Sequence, residues 1–321
     1  MFSFAALLAL VPLSVSAVTL PKRSVNGPAI TANFPDPALL TVDGVYYVFS
    51  TNSGGKNVPV QTSTDFVNWS PLADALPTVG AWSTGANVWA PDVIQLGTNS
   101  FLMYYSAEVS SNPGTHCVSA ATASSPAGPY TPISGVLACP ISAGGAIDPV
   151  AFLDTDGSLY LAWKVDGNNI GHGGNCNNGV APIVPTPIMI QKMTADGTAF
   201  AAGSSATQIL DRSDADGPLV EAPSLVEKDG TYVLFFSSNC YSSSLYDVSY
   251  ATASSVLGPY TKSSAPLLIT GSPYSQLYAP GGFDVNRAGT QAVFHSDLGT
   301  TSDTRQMYTA AISISGTTVT I

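Results

Sequence analysis

Charge is what this chain has least of. Only 10% of its 321 residues are Asp, Glu, Lys or Arg, and 21 acids face just 10 bases. A nucleic-acid partner needs clustered Lys and Arg, so none is expected. The net charge of −11 argues equally against an anionic membrane surface. Long apolar runs are missing beyond the first residues, so no membrane-spanning helix is expected. The four cysteines and three histidines do not fall into a zinc-binding spacing. There is no Gly-x-Ser-x-Gly elbow, phosphate-binding loop, dinucleotide glycine motif or His-Glu-x-x-His pair. Amphipathic helical periodicity is absent as well. Nothing signals an oligomer, and a monomer is expected.

What is present is apolar and turn-rich: 45% hydrophobic residues, 29 glycines and 24 prolines. Aromatic and β-branched residues are too frequent for a disordered chain. Met1 to Ala17 reads as a secretory signal, with an apolar Phe4–Val11 run ending in Ser14-Val15-Ser16-Ala17. Residues 18–31 read as an N-terminal segment, and Lys22-Arg23 as a second processing site or an exposed basic pair. Asn68-Trp69-Ser70 is a glycosylation sequon. All of this implies a secreted, extracellular protein.

One pattern recurs five times between residue 32 and the C-terminus. Phe34-Pro35-Asp36-Pro37 leads into an aromatic strand, Tyr46-Tyr47-Val48-Phe49. Trp89-Ala90-Pro91-Asp92 leads into Phe101–Ser106, and Ile147-Asp148-Pro149-Val150 into Leu159–Trp163. Glu221-Ala222-Pro223-Ser224 leads into Tyr232–Ser237, and Tyr278-Ala279-Pro280-Gly281-Gly282-Phe283 into Gln291–His295. Weaker strands follow each pair, the last at Arg305–Ala310 and Ile312–Ser315. Units of about four short strands, roughly 50 to 60 residues apart, predict an all-β, five-bladed β-propeller over residues 32–321.

The third unit carries a long Gly/Asn/Pro-rich loop from Asp166 to Pro187. An even cysteine count in a secreted chain suggests two disulfides, with three connectivities open. Cys176 lies in that loop and Cys240 in the equivalent loop of the fourth unit, so a Cys176–Cys240 bridge would tie neighbouring loops. That leaves Cys117 for Cys139.

In a propeller the starts of the inner strands converge on one end of the axis. Asp36, Asp148 and Glu221 occupy such starts, together with the aromatics Trp89 and Tyr278. Each acid taken singly reads as a turn or a solvated loop residue. Three at equivalent positions instead suggest a proton-transfer site, because converging carboxylates must share protons or find partners.

These motifs resemble glycoside hydrolase family 43, the five-bladed propeller enzymes acting on arabinan, xylan and their side chains. The resemblance rests on Phe34-Pro35-Asp36-Pro37, Trp89-Ala90-Pro91-Asp92, Ala146-Ile147-Asp148-Pro149, Glu221-Ala222-Pro223, and the His295 and Arg305 strands. It implies Asp36 as the base that activates water, Glu221 as the acid, and Asp148 as the group that keeps Glu221 protonated. It also implies inversion, with the Asp36 and Glu221 carboxyls about 6.5 to 9.5 Å apart. Arg305 would reach the sugar, Trp89 would stack on it, and Phe34 would form a pocket wall or pack beneath Asp36. His295 would lie near a water-coordinated axial cation such as calcium, with no cofactor required. His116 and His172 receive no role.

The implied partner is plant cell-wall polysaccharide. α-L-Arabinofuranosides are the first expectation, β-D-xylosides the second and endo-1,5-α-L-arabinan cleavage the third. A loop at 166–187 that blocks one side of the axial pocket would favour exo action. The alternative of another class is a non-catalytic carbohydrate-binding propeller.

Overall fold

A computed structural model describes residues 25–272, 274–299 and 304–321. The Met1–Ala17 signal and Lys22-Arg23 lie outside these residues. The described chain is β throughout, broken by short 3-10 turns. It forms five four-stranded antiparallel sheets arranged as a five-bladed propeller, as expected.

Blade 1 consists of Ala38–Val42, Val45–Phe49, Pro59–Ser63 and Ala73–Asp74. Blade 2 is Trp89–Gly97, Ser100–Glu108, His116–Ala123 and Thr131–Pro132. Blade 3 is Ala146–Leu153, Leu159–Val165, Ile188–Lys192 and Thr207–Leu210. Blade 4 is Val220–Lys228, Thr231–Ser238, Asp247–Ala253 and Thr261–Lys262.

Blade 5 corrects the expected boundary. Its inner strands are Gly281–Val285, Gln291–Asp297 and Arg305–Ala311, and its outer strand is Val25–Ile30, from the segment set apart above. The propeller therefore begins at Val25, and its first strand closes the ring against its last blade. Ser313–Ser315, expected to finish that blade, pairs with Thr318–Thr320 in a separate hairpin.

The second strand of each blade is covered on both faces, which explains its unbroken apolar run. Side chains alternate along a strand. In Ser100–Glu108, Phe101, Met103 and Tyr105 enter the core between blades 1 and 2, while Leu102 and Tyr104 enter the core between blades 2 and 3. In blade 4, Val233 and Phe235 face blade 5, and Leu234 and Phe236 face blade 3. A fifth cluster, with Leu39, Val48, Val293 and Met307, joins blade 5 to blade 1. Each interface is thus an apolar layer, and truncating a fully buried Phe235 to Ala would cost about 3 to 5 kcal/mol.

At the axis each blade makes the same irregular turn. Asp36, Ala90, Asp148, Ala222 and Gly282 all have left-handed backbone, with φ between 42° and 58°. The register shifts there in blades 2 to 5. Such a conformation is strained for a non-glycine residue and persists only where neighbours fix it. Here the amide of one blade bonds a side chain of the preceding blade. Asp36 N–H donates to His295 Nδ1 at 3.0 Å, and Ala90 N–H to Thr51 Oγ1 at 2.8 Å. Ala222 N–H donates to Asp148 Oδ2 at 2.9 Å, and Gly282 N–H to Ser237 Oγ at 3.0 Å.

This ring also corrects the fifth repeat. Gly281-Gly282-Phe283 occupies the axial position, not Tyr278-Ala279-Pro280. Glycine is needed at 282, because a Cβ there would lie 2.8 Å from the His295 ring and 3.2 Å from Asp36 Cα.

Candidate active site

The bulges of blades 1 to 4 border a pocket of about 480 Å³ at one end of the axis, and blade 5 contributes Arg305 to it. Asp36, Asp148 and Glu221 all line it, with Trp89 and Arg305. Residues distant in sequence therefore meet because the repeats place them at equivalent blade starts.

Asp36 is held on both oxygens. Arg305 Nη1 donates to Oδ1 at 3.0 Å, and the Thr51 hydroxyl donates to Oδ2 at 2.6 Å. Burial works to raise the pKa of Asp36, but the Arg305 charge, with His295 and Thr51, outweighs it and holds the carboxyl below the usual range. Asp36 is thus kept as a carboxylate.

Glu221 is held just as firmly. Tyr246 Oη donates to Oε1 at 2.8 Å and Lys164 Nζ donates to Oε2 at 2.8 Å. Lys164 also lies 3.3 Å from Asp166 Oδ1 and is entirely buried. Burial would strip the proton from this lysine. The charges of Glu221, Asp166 and Asp148 more than reverse that and raise its pKa.

Asp148 is pushed up to about 8, first by burial, then by the Glu221 charge. Asp148 therefore keeps its proton well above the ordinary carboxylate range, beside Glu221.

Trp89 faces the pocket and stacks on His116, centroids 3.7 Å apart and rings 16° from parallel. Phe34 does not form a pocket wall. It is 1% exposed and packs with Ile30, Leu39 and Val48 under the Asp36 turn, which corrects its assignment to substrate binding. His172 is exposed and outside the pocket.

Sequence reasoning missed Lys164, Tyr246, Thr51 and His116. Lys164 left a trace: it is the one cation in the otherwise apolar strand Leu159–Val165. Tyr246 left none, because it sits in a loop outside the repeat.

His295 is fully buried and stacks on Tyr246. Burial, then Arg305, pushes its pKa down to about 3, so the ring is neutral. Its Nδ1 accepts the Asp36 amide, which puts the ring proton on Nε2. Nε2 is buried without a protein partner, and as an N–H it offers no lone pair to a cation. Among the described residues no group of three or more His, Cys, Asp or Glu side chains could hold a metal ion. The side chains present thus do not fit direct ligation of an axial metal by His295.

Both disulfides join as expected, Cys117 to Cys139 and Cys176 to Cys240. The second fastens the 166–187 loop, which brings Asn168, Asn169 and Asn177 to the pocket, to the loop bearing Tyr241. The Tyr241 ring lies 5.3 Å from the Arg305 guanidinium.

Known proteins are similar to this chain. An extracellular endo-α-(1→5)-L-arabinanase of Bacillus subtilis is 26% identical over 269 residues, covering 78% of this chain and 76% of that protein. A β-D-galactofuranosidase of Aspergillus niger is 22% identical over 307 residues, covering 86% and 81%. The crystal structure of an endo-1,4-β-xylanase from Bacteroides thetaiotaomicron superimposes with a TM-score of 0.73 at 25% identity, covering 94% and 96%. The family model described as glycosyl hydrolases family 43 matches residues 25–309, all five blades and the closing strand included, and the chain belongs to that family.

Proposed function

We propose that this glycosidase is a secreted, inverting, exo-acting enzyme of plant cell-wall arabinan and arabinoxylan. It removes α-L-arabinofuranosyl units, with β-D-xylosyl units as the nearest substitute. The observation that carries the reading is the division of labour in one pocket. Asp36 is held as a carboxylate by Arg305, while Asp148, raised by burial and by the Glu221 charge, retains a proton beside Glu221.

In this reading Asp36 accepts a proton from water as the water oxygen bonds the anomeric carbon. The bond from that carbon to the leaving oxygen breaks, and the leaving oxygen takes the proton of Glu221. Asp148 holds the pair protonated until then. Trp89, backed by His116, offers a flat face to sugar C–H groups. Arg305 and Thr51 fix the base, and Tyr246 and Lys164 fix the acid.

Support for exo action comes from the 166–187 loop, which lines the pocket and is stapled to blade 4. Support for furanose substrates comes from relatives named for arabinan and galactofuranoside. A second reading, endo-1,5-α-L-arabinanase, is favoured by the activity for which the Bacillus subtilis relative is named.

The test is product size. Wild-type protein is incubated with aryl arabinofuranosides, aryl xylosides, debranched arabinan and arabinoxylan. Monosaccharide release from the first instant supports the exo reading. Early oligosaccharides from debranched arabinan, with aryl glycosides intact, support the endo reading. No cleavage of any substrate defeats both.

A further inference from the structure

Lys164 is a buried charge that the acid–base scheme does not require. A cation with 0% exposure is costly unless close partners hold it. Its position in the fold makes it more unusual. Across the axial bulges Trp89 pairs with Ser106, Ile147 with Lys164, Glu221 with Ser237 and Gly281 with His295. Thr51 holds the same place in blade 1, its amide bonding Pro35 O.

Three of these five side chains, Thr51, Ser237 and His295, accept the axial amide of the next blade. An ammonium group has no acceptor lone pair. In blade 3 the amide of Ala222 therefore turns to Asp148 Oδ2. Lysine here gives up the fold's own device and couples Asp148 to the ring. That substitution serves the carboxyls, not the propeller.

The charges point the same way. Arg305 is committed to Asp36 at 3.0 Å. Lys164 alone then faces three carboxyls: Glu221 at 2.8 Å, Asp166 at 3.3 Å, and Asp148, whose titration it influences. Around this group stand Tyr246 from blade 4, Asp36 from blade 1, and Arg305 with neutral His295 from blade 5.

We propose that Lys164, buried between Glu221 and Asp166, is a positioning residue that sets the alkaline limb of the reaction. It acts through Glu221, holding the carboxyl in place and stabilising the carboxylate left once the leaving oxygen has been protonated. Burial and the Glu221 charge make Asp148 hold its proton, and Lys164 opposes them.

This inference rests on the glycosidase reading, and the experiment separates the two. The probes are a nitrophenyl arabinofuranoside and arabino-oligosaccharide, with kcat/KM measured across the pH profile. In Lys164→Met the alkaline limb moves up by about 1 to 2 pH units, because an opposite charge in contact no longer disfavours the proton. Oligosaccharide turnover drops at least tenfold more than nitrophenyl turnover, since a good leaving group needs little protonation. In Asp166→Asn the limb moves down, because Lys164 keeps its charge and loses a competing carboxylate.

A residue that merely fills space would lower activity in both variants without moving the limb. An unmoved limb in folded Lys164→Met, or shifts of the same sign in both variants, overturns the proposal. Should Lys164→Met fail to fold, Asp166→Asn decides alone, and an unmoved limb there overturns it. Wild type inactive on both probes defeats the glycosidase reading and this inference together. An active wild type with immobile limbs defeats only the inference.

Discussion

Arg305 and Asp36, 269 residues apart in the chain, meet through an Nη1–Oδ1 contact of 3.0 Å at the mouth of the propeller axis. The guanidinium cannot deprotonate in this setting, so the charge facing Asp36 is permanent. Burial alone would drive Asp36 towards protonation; the arginine reverses the sign.

That relationship makes the acid limb of the pH profile depend on Arg305. The base works only while ionised, so activity falls as pH drops through the depressed folded value. In Arg305→Met, burial is largely unopposed and the acid limb should move up by about 1 pH unit or more. KM should rise too if Arg305 touches sugar. The stability Asp36 contributes is present above its unfolded pKa and is lost as pH falls through the folded one. In the variant this acid-side contribution disappears, which thermal unfolding at low pH would register. An acid limb at the wild-type position would contradict the electrostatic role.

Glu221→Gln keeps the shape: its one amide oxygen can accept from Lys164 while its NH2 donates to the Tyr246 hydroxyl, so the fold should be retained. Turnover of arabino-oligosaccharide should fall by about 10² to 10⁴, the usual worth of a positioned acid. An aryl glycoside with an acidic phenol should lose much less. Equal losses on both substrates would argue against Glu221 as proton donor.

Asp148 should limit stability at neutral pH and above. Its folded pKa is raised to about 8, so the proton it holds favours the native state at low pH. That contribution is complete below the unfolded pKa and is lost as pH rises towards 8. Asp148→Asn can still accept the Ala222 amide but carries no charge. We expect it to melt about 2 to 5 °C higher than wild type near pH 8, with little difference near pH 4. It should also be nearly inactive. Calorimetry across that pH range checks the crossing, and a constant difference would refute it.

The two disulfides should separate in their effects. Cys176–Cys240 closes a separation of 64 residues and braces the pocket rim; Cys117–Cys139 closes 22 within blade 2. Replacing either pair with serine should cost about 2 to 4 kcal/mol of stability. Only the Cys176/Cys240 replacement should raise KM for oligosaccharide, because only that bridge holds Asn168, Asn169 and Asn177 beside Tyr241. Unfolding curves and steady-state kinetics on both variants test this.

Five repeats of a turn followed by an aromatic strand were legible in the sequence. An unbroken apolar run shows that a strand is buried on both faces, and repetition shows which positions are equivalent. That was enough to reach the propeller, the convergence of Asp36, Asp148 and Glu221, and the disulfide pairing. It failed where one unit departs from the pattern. The fifth bulge, at Gly281-Gly282, carries neither the acid nor the proline of its counterparts, so a nearby Ala-Pro drew the alignment three residues away.

What the sequence determined by itself is therefore local or repeated: strand faces, blade number and the residue type at each blade start. Tertiary structure decided whatever depends on closing the ring. Val25–Ile30 joins the last blade, Phe34 falls into the blade 5–blade 1 core, and Arg305 and His295 come to rest on Asp36. It also turned Lys164, one cation in an apolar strand, towards Glu221. The physical reason is that each contact joins segments far apart in the chain, and a linear pattern records a residue's own face but not what the closed ring brings against it.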